Sequence, residues 1–255
     1  MPDQLINRNP IKLIFRKIFI MICNIFFLKK LNFKMKDIVK KILLFVFVYL
    51  IYQNIFYLIL VPEIYSIPIY VVYLLTAYMF TLADTLIRSI PEEKHASKIF
   101  DVLLLSMLLL SPFFLIGAFL ENTLLISQIF PFWDNIIISY LGFILYITGA
   151  LLIFVARTQL GRFGSAELST EEDHQLFTQG LYKYIRNPMY SGGLIATVGF
   201  CLVFRCIITL IIIFIYTFLV YRMRIIEEEK ILLNKFGKDY EEYKKKTKKL
   251  IPLLY

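Results

Sequence analysis

Charge, histidine, cysteine and glycine are all in short supply in this chain of 255 residues. Only 18% of it is charged, and it has two histidines, three cysteines and ten glycines. A soluble domain carries about a quarter charged residues, so the ordinary soluble class is excluded first. Cys23, Cys201 and Cys206 are odd in number and show no CxxC spacing. They read as isolated apolar fillers rather than a disulfide framework or a redox pair. His95 and His174 stand alone, and without a Cys/His cluster no protein-ligated zinc or iron is expected. There is no GxxxxGKS and no strand–GxGxxG–helix unit, which removes the soluble phosphate- and dinucleotide-binding folds. No nucleic-acid partner is expected, and no repeat recurs at a fixed period.

What the chain does hold is apolar surface, 59% hydrophobic and 16% aromatic, arranged in runs. A helix crosses the hydrocarbon core with about 20 apolar residues. Six segments come close: Ile42–Val61, Ile67–Ile87, Ile99–Leu120, Ile136–Ala156, Met189–Phe204 and Cys206–Tyr221. The last two are short and separated by little more than Arg205, which predicts a tight helical hairpin. Ile18–Leu28 is half a span flanked by lysine and arginine, the pattern of a basic amphipathic helix on the membrane surface. No small-residue cleavage site follows it, as a signal sequence would need. With these spans, 27 of the 28 Lys and Arg fall on one side and Arg205 alone on the other. The positive side faces the cytoplasm, so both termini are expected there. Asp84 and Asp101 lie inside expected spans near their cytoplasmic ends, where pairing with Arg88 or Lys98 accounts for them.

One connecting stretch is richer than a loop requires. In "QGLYKYIRNPMYSGG", Gln179 to Gly193, Asn187 suits a helix N-cap and Pro188 the first helical position. Gly192 and Gly193 permit close helix contact. Capping does not explain why Tyr182, Tyr184, Arg186 and Tyr190 gather at the same helix mouth. Free N–H groups, a positive helix end and a nearby arginine suit an anionic group. The tyrosines would form amphipathic walls at the interface, where an aromatic belt also places them.

A second constellation follows the last span, "RMRIIEEEKILLNKFGKDYEEYKKKTKKLIP" from Arg222 to Pro252. Ile226, Leu233, Phe236, Tyr240 and Tyr243 recur at helical spacing, and Glu229 fills the missing step. Glu228 likewise lies between Ile225 and Leu232, while Glu227 falls on a more polar side. A carboxylate on a buried face needs partners; a salt bridge to Arg222 or a solvated acidic turn are the plain alternatives. Gly237 is expected to end this helix, with Asp239 and Glu242 as a capping box for a second one. Lys244–Lys249 reads as contact with anionic headgroups.

Taken together, "GLYKYIRNPMYSG" (Gly180–Gly192), a helical hairpin, "RMRIIEEEK" and "FGKDYEEY" with a late Pro252 resemble the isoprenylcysteine carboxyl methyltransferase family and its phospholipid-methyltransferase relatives. That pattern runs GxYxYxRHPxYxG, RxRxxEEE, FGxxYxxY. Upstream, "LGRFGSAELSTEEDHQLFTQG" is similar to the lead-in of prokaryotic members. The likeness covers about Gln159–Pro252; the first three spans carry no signature of it. One position departs from the pattern, where the family's His is Asn187, which can keep a hydrogen bond but cannot titrate.

The resemblance implies an all-α, multi-pass transmembrane bundle of about six spans whose cytosolic C-terminal helical segment completes a cofactor pocket. It implies three regions: a basic surface segment 1–41, transmembrane helices 42–156 and a methyltransferase-like region 157–255. S-adenosylmethionine would be the donor, bound by Tyr182, Arg186, Asn187, Pro188, Tyr190, Glu228 and Glu229. Arg222 and Arg224 would hold a carboxylate of substrate or cofactor, and these two with Glu228 are the catalytic candidates. The acceptor would be a lipid or lipidated substrate in the bilayer. A carboxylate nucleophile needs no base, whereas an amine would need Glu228 or Glu229 to take its proton. Glu229, on the buried face, is expected to bind the cofactor rather than act as base. A prenylcysteine carboxylate leads and a phospholipid amine follows. A sterol-type reductase or a non-catalytic scaffold are the other classes; no acidic Asn-Tyr-x-Gly segment supports the former, while Asn187 favours the latter.

Overall fold

The computed structural model describes residues 33–87, 98–161 and 176–250, with side chains from residue 38 onward apart from 98–101, 103 and 104. The expected surface helix Ile18–Leu28, the lead-in at 162–175, Pro252, and the side chain of Asp101 lie outside the described residues.

The described chain is helical, and its elements follow the apolar runs. Helix α1 is one rod made of Phe33–Phe45, a π-helical stretch Val46–Tyr52 and Gln53–Leu60. After a 3-10 turn at Pro62–Ser66, α2 runs Pro68–Ile87. Helix α3 is Lys98–Glu121, continued through a π turn at Asn122–Ile126 and Ser127–Ile129. Helix α4 is Ile136–Leu160, started by the Asn135 side chain, which accepts from the Ile137 N–H at 2.9 Å. Helix α5 is Pro188–Val203 and α6 is Ile208–Lys246.

Five of these helices are long and apolar enough to cross a membrane. Their outer faces carry exposed Leu58, Ile59, Met79, Ile144 and Ile211, side chains that only lipid would solvate well. The chain is a multi-pass membrane bundle. Helix α5 is the exception to the expected six: 16 residues span about 24 Å at 1.5 Å per residue, short of a core of about 30 Å. Helix α6 errs the other way. Its 39 residues run well past any bilayer, and its apolar first half continues without a break into the charged "RMRIIEEEK".

The hairpin expected between α5 and α6 exists, turned by Phe204–Ile207 with Arg205 at φ 53. The closest packing of α5, however, is against α4. Gly142 and Gly149 of α4 face Gly192 and Gly199 of α5, each pair seven residues apart on one helical face. A Cβ at Gly149 would meet the Ala196 N and Gly192 O at 2.5 Å, and one at Gly199 the Tyr146 N at 2.3 Å. The two backbones are therefore in direct contact, as small residues allow between membrane helices.

At the end of the bundle where α3 meets α4 and α5 meets α6, the helices are tied by Arg205 and by acidic groups that the sequence did not single out. The Glu121 carboxylate at the end of α3 accepts from the N–H groups of Ile207, Ile208 and Thr209, each at 2.7 Å, and so caps α6. Arg205 pairs with Asp134 at 2.9 Å and donates to Tyr70 Oη at 2.9 Å and to Asn122 Oδ1 at 3.3 Å. At the other end, Asp84 of α2 pairs with Arg157 of α4; Arg88 and the side chain of Lys98, its expected partners, lie outside the described residues.

Candidate functional site

The motif residues meet where the N-terminus of α5, the end of α4 and the second half of α6 converge. Gly180, at φ 58, opens a 3-10 turn Gly180–Lys183 that is pinned to α4 by the Leu181 N–H, which donates to Gln159 Oε1 at 2.9 Å. That turn buries Tyr182, whose backbone carbonyl accepts from Tyr243 Oη at 2.6 Å. Burial pushes the Tyr182 phenol above its usual range, and the charge of Arg157 opposes that rise. The phenol therefore stays protonated, donating to Ala156 O at 3.4 Å, and its ring forms an apolar wall. Tyr184 is exposed.

Arg186, Asn187 and Ser191 do one job together: they fasten the C-terminal segment. The Arg186 N–H donates to the Lys248 carbonyl at 2.8 Å, and the Lys248 N–H returns to Tyr184 O at 3.1 Å, forming a short parallel bridge. The Arg186 guanidinium donates to the carbonyls of Lys244 at 3.0 Å and Thr247 at 2.5 Å. Asn187 stands at the N-cap position, with Pro188 buried at the first helical position, as its sequence predicts. Its side chain does not cap the helix. It reaches instead to the Lys249 carbonyl at 3.0 Å, and Ser191 Oγ donates to Leu250 O. An uncharged amide suffices for that bond, so a titratable His is not required for the fastening seen here.

Glu229 belongs to the same fastening. It is 14% exposed and meets Arg186 at 3.4 Å, Lys249 at 3.7 Å and Lys244 at 3.8 Å. It lies on the buried face, as its spacing implied, but its partners come from two other segments rather than from Arg222. Glu227 is on the polar side, paired with Lys230. The apolar row differs by one residue from the expected one. Ile225 is buried, with Tyr240 and Tyr243 further on, whereas Ile226 and Leu233 are exposed and belong to the outer face. Gly237, at φ 50, breaks α6 into two helical pieces at the predicted place.

The remaining residues form a polar cluster between α5 and α6. Tyr190 Oη donates to the Glu228 carboxylate, which also has Arg224 at 3.8 Å, one helical turn earlier. The Arg224 guanidinium lies over the Tyr190 ring at 5.4 Å, and the Tyr221 ring is 5.0 Å from that of Tyr190. Gly193 makes room for this cluster, since a Cβ there would sit hard against Tyr221 Oη. Arg222 does not join it. Two residues apart on a helix lie on nearly opposite faces, and Arg222 is exposed while Arg224 is half-buried. Within one further turn, Thr197 of α5 and Thr217 of α6 line a cavity of about 290 Å³ that runs between the helices past Phe200, Tyr73, Tyr146 and Tyr57.

The donor set can be tested against an amino-acid-bearing sulfonium nucleoside. Carboxylate and phenol groups suit an ammonium and sugar hydroxyls, a guanidinium suits a carboxylate, and tyrosine faces suit a purine or a sulfonium charge. Glu228, Arg224, Tyr190, Tyr221 and Tyr182 supply all of these within one cluster, so the residues present fit such a group.

Residues 137–239 match the family model described as phospholipid methyltransferase. The probable protein-S-isoprenylcysteine O-methyltransferase of Oryza sativa subsp. indica is 29% identical over 137 residues, 53% of this chain and 70% of that protein. The protein-S-isoprenylcysteine O-methyltransferase of Schizosaccharomyces pombe is 32% identical over 132 residues, 51% of this chain and 54% of that protein. Among solved structures, the eukaryotic intramembrane Ras methyltransferase, an isoprenylcysteine carboxyl methyltransferase, superposes with a TM-score of 0.57 at 18% identity, covering 98% of this chain and 88% of the other. The resemblance carried by the motifs is thus found again in sequence and in fold, and the fold likeness extends over the N-terminal helices that have no motif.

Proposed function

We propose that this chain is an integral-membrane methyltransferase that esterifies the carboxylate of a prenylcysteine-type acceptor, with S-adenosylmethionine as donor. The observation that carries the proposal is the Tyr190–Glu228–Arg224 cluster, carried by the two helices α5 and α6 that also line, through Thr197 and Thr217, a cavity between membrane helices. A polar cofactor site and a bilayer-embedded tail site on the same pair of helices are what a lipidated acceptor requires. The similarity to relatives named protein-S-isoprenylcysteine O-methyltransferase supports the choice of acceptor.

When bound, S-adenosylmethionine supplies a methyl carbon on a positive sulfur, which a carboxylate oxygen can displace without giving up a proton. In this scheme Glu228, held by Tyr190 and Arg224, would bind the donor's cationic part, and Tyr221 and Tyr182 would wall it from water. Excluding water favours a reaction in which two opposite charges disappear, and holding the partners in line contributes the rest. Arg186, Asn187 and Glu229 would serve the cofactor indirectly, by fixing the C-terminal segment that closes the site. The excess of Lys and Arg at this end supports placing the site and both termini on the cytoplasmic face.

The phospholipid-methyltransferase match supports a second reading, methylation of a lipid amine, in which Glu228 would take the proton. Labelled-methyl transfer by purified protein separates the two. Transfer to an N-acetyl-S-farnesylcysteine, with none to phosphatidylethanolamine vesicles, is the expected result; the opposite pattern moves the assignment to the amine. Transfer to neither, by protein that also fails to bind S-adenosylmethionine, overturns the enzyme reading.

A further inference from the structure

The cavity between the helices is lined by more oxygen than a hydrocarbon chain requires. Gln53 and Tyr57 of α1, Tyr73 of α2, Tyr146 of α4 and Thr217 of α6 all line it. Tyr57 is 2% exposed, Thr217 3%, and Gln53 and Tyr73 8% each. Among the described residues, the three phenol hydroxyls, Thr217 Oγ1 and the Gln53 carbonyl oxygen have no hydrogen-bond partner. Gln53 uses only its amide N–H, which donates to Ser111 Oγ at 2.9 Å. The Tyr73 hydroxyl stands within electrostatic reach of those of Tyr57 and Tyr146. Polar neighbours on the same helices are paired instead. Asn54 donates to Tyr78 Oη at 2.8 Å, Tyr52 Oη donates to Leu109 O at 2.9 Å, and Tyr216 and Ser106 share a bond of 2.7 Å.

Packing alone does not call for these oxygens. Phe200 and Leu115 line the same space without a polar atom, and phenylalanine in place of each tyrosine would fill it equally well. A buried hydroxyl without a partner costs stability, and the bilayer around these helices offers no water to supply one. Hydroxyls donate, so the complementary guest carries acceptor oxygen within an otherwise apolar body. Resting on the function proposed above, we propose that the membrane-embedded part of the methyl acceptor is an isoprenoid chain that bears oxygen. That oxygen, as an ether, ketone or hydroxyl, is held by the Tyr57, Tyr73, Tyr146 and Thr217 hydroxyls. In lipid it has no donor, so the bond is gained on entering the cavity rather than exchanged for one to water. A plain hydrocarbon chain leaves all four hydroxyls unpaired. These contacts are the same before and during methyl transfer, so the selection falls on KM and leaves kcat alone.

The test uses the full chain in detergent micelles or nanodiscs. Methyl transfer is measured to N-acetyl-S-farnesylcysteine and to analogues of equal length in which an ether oxygen replaces one chain methylene at successive positions. For at least one ether the wild type should show a KM about tenfold lower than for the plain chain, with kcat alike, the worth of one hydrogen bond. Tyr57→Phe, Tyr73→Phe and Tyr146→Phe combined with Thr217→Val keep the shape of the cavity and should bring those KM values within about twofold of each other. In that variant S-adenosylmethionine binding should be unchanged and Tm should hold or rise, because unpaired hydroxyls have left the core. Ethers no better than the plain chain, a preference that survives in the variant, or a Tm that falls would each overturn this inference alone, and leave water as the partner of the hydroxyls. An ether chain without the cysteine that binds without competing with the cysteine acceptor overturns it too, since the guest is then a separate lipid. Transfer to none of the acceptors, by protein that binds the donor, overturns the esterification reading along with it.

Discussion

At the scale of single residues, the two adjacent glutamates of α6 illustrate how one helical turn divides labour. Glu228 faces Tyr190 and Arg224, whereas Glu229, about 100° further around the helix, faces Arg186 and two lysines of the closing segment. Their substitutions should therefore separate. Glu229→Gln leaves Arg186, Lys244 and Lys249 around a neutral amide, and we expect a stability loss of about 1–3 kcal/mol, from the worth of hydrogen bonds to charged groups. Thermal unfolding of detergent-purified protein should show it as a lowered Tm, with S-adenosylmethionine binding weakened only as far as the closing segment loosens. Tyr190→Phe removes one bond to Glu228 and leaves the ring that packs against Tyr221. It should leave Tm close to wild type while S-adenosylmethionine affinity falls by about tenfold, since such a bond is worth a little over one logarithm. If both variants changed Tm and affinity alike, the division would be wrong.

Among the elements, the α4–α5 pair decides where the helix mouth sits. Its glycines bring the backbones together over two helical turns, so the start of α5 is set by α4 more than by its hairpin partner α6. Gly149→Ala puts a Cβ 2.5 Å from backbone atoms of α5, which cannot swing aside as a side chain could. A destabilisation of about 1–3 kcal/mol or more is expected, with methyl transfer falling because Tyr190 moves relative to Glu228. Gly117→Ala is the control. Its Cβ would meet Thr209 Oγ1 at an ordinary 3.8 Å, so Tm should hold or rise, as replacing a mid-helix glycine usually gives. Unfolding curves of the two variants side by side check the contrast. What was legible in the sequence at this scale was whatever depends on local backbone rules. The helix start at Asn187-Pro188 follows from fixed φ and absent N–H, and the break at Gly237 from a positive φ. The buried row at Ile225 rather than Ile226 was not legible, because an isoleucine facing lipid and one facing protein look alike in a membrane helix. Nor was the true bond of the Asn187 amide, or the roles of Glu121 and Arg157, since each depends on a partner far away in sequence.

For the molecule as a whole, the two ends of the bundle differ in kind. The end with Glu121, Asp134, Asn122 and Arg205 is a network in which Arg205 is matched by Asp134 and Glu121 caps α6. The opposite end carries lysines that pair only in part: Lys246 is 76% exposed in the side chain and Lys230 65%. A negative cytoplasmic leaflet favours that end by about 1 kcal/mol per cation near the surface, while the far end gains nothing from lipid charge. A cytoplasmic placement of the lysine-rich end is therefore the expected orientation, and it can be read directly. Cys201 and Cys206 are buried and will react slowly, and Cys23→Ser removes the third thiol. In that background Phe132→Cys, at a loop position 74% exposed on the far side, should react with a membrane-impermeant maleimide in intact cells. Lys246→Cys should react only after the cells are opened. The reverse pattern would put the methyl-transfer site outside the cytoplasm, away from the donor pool, and the proposed reaction would then have to be abandoned with the orientation.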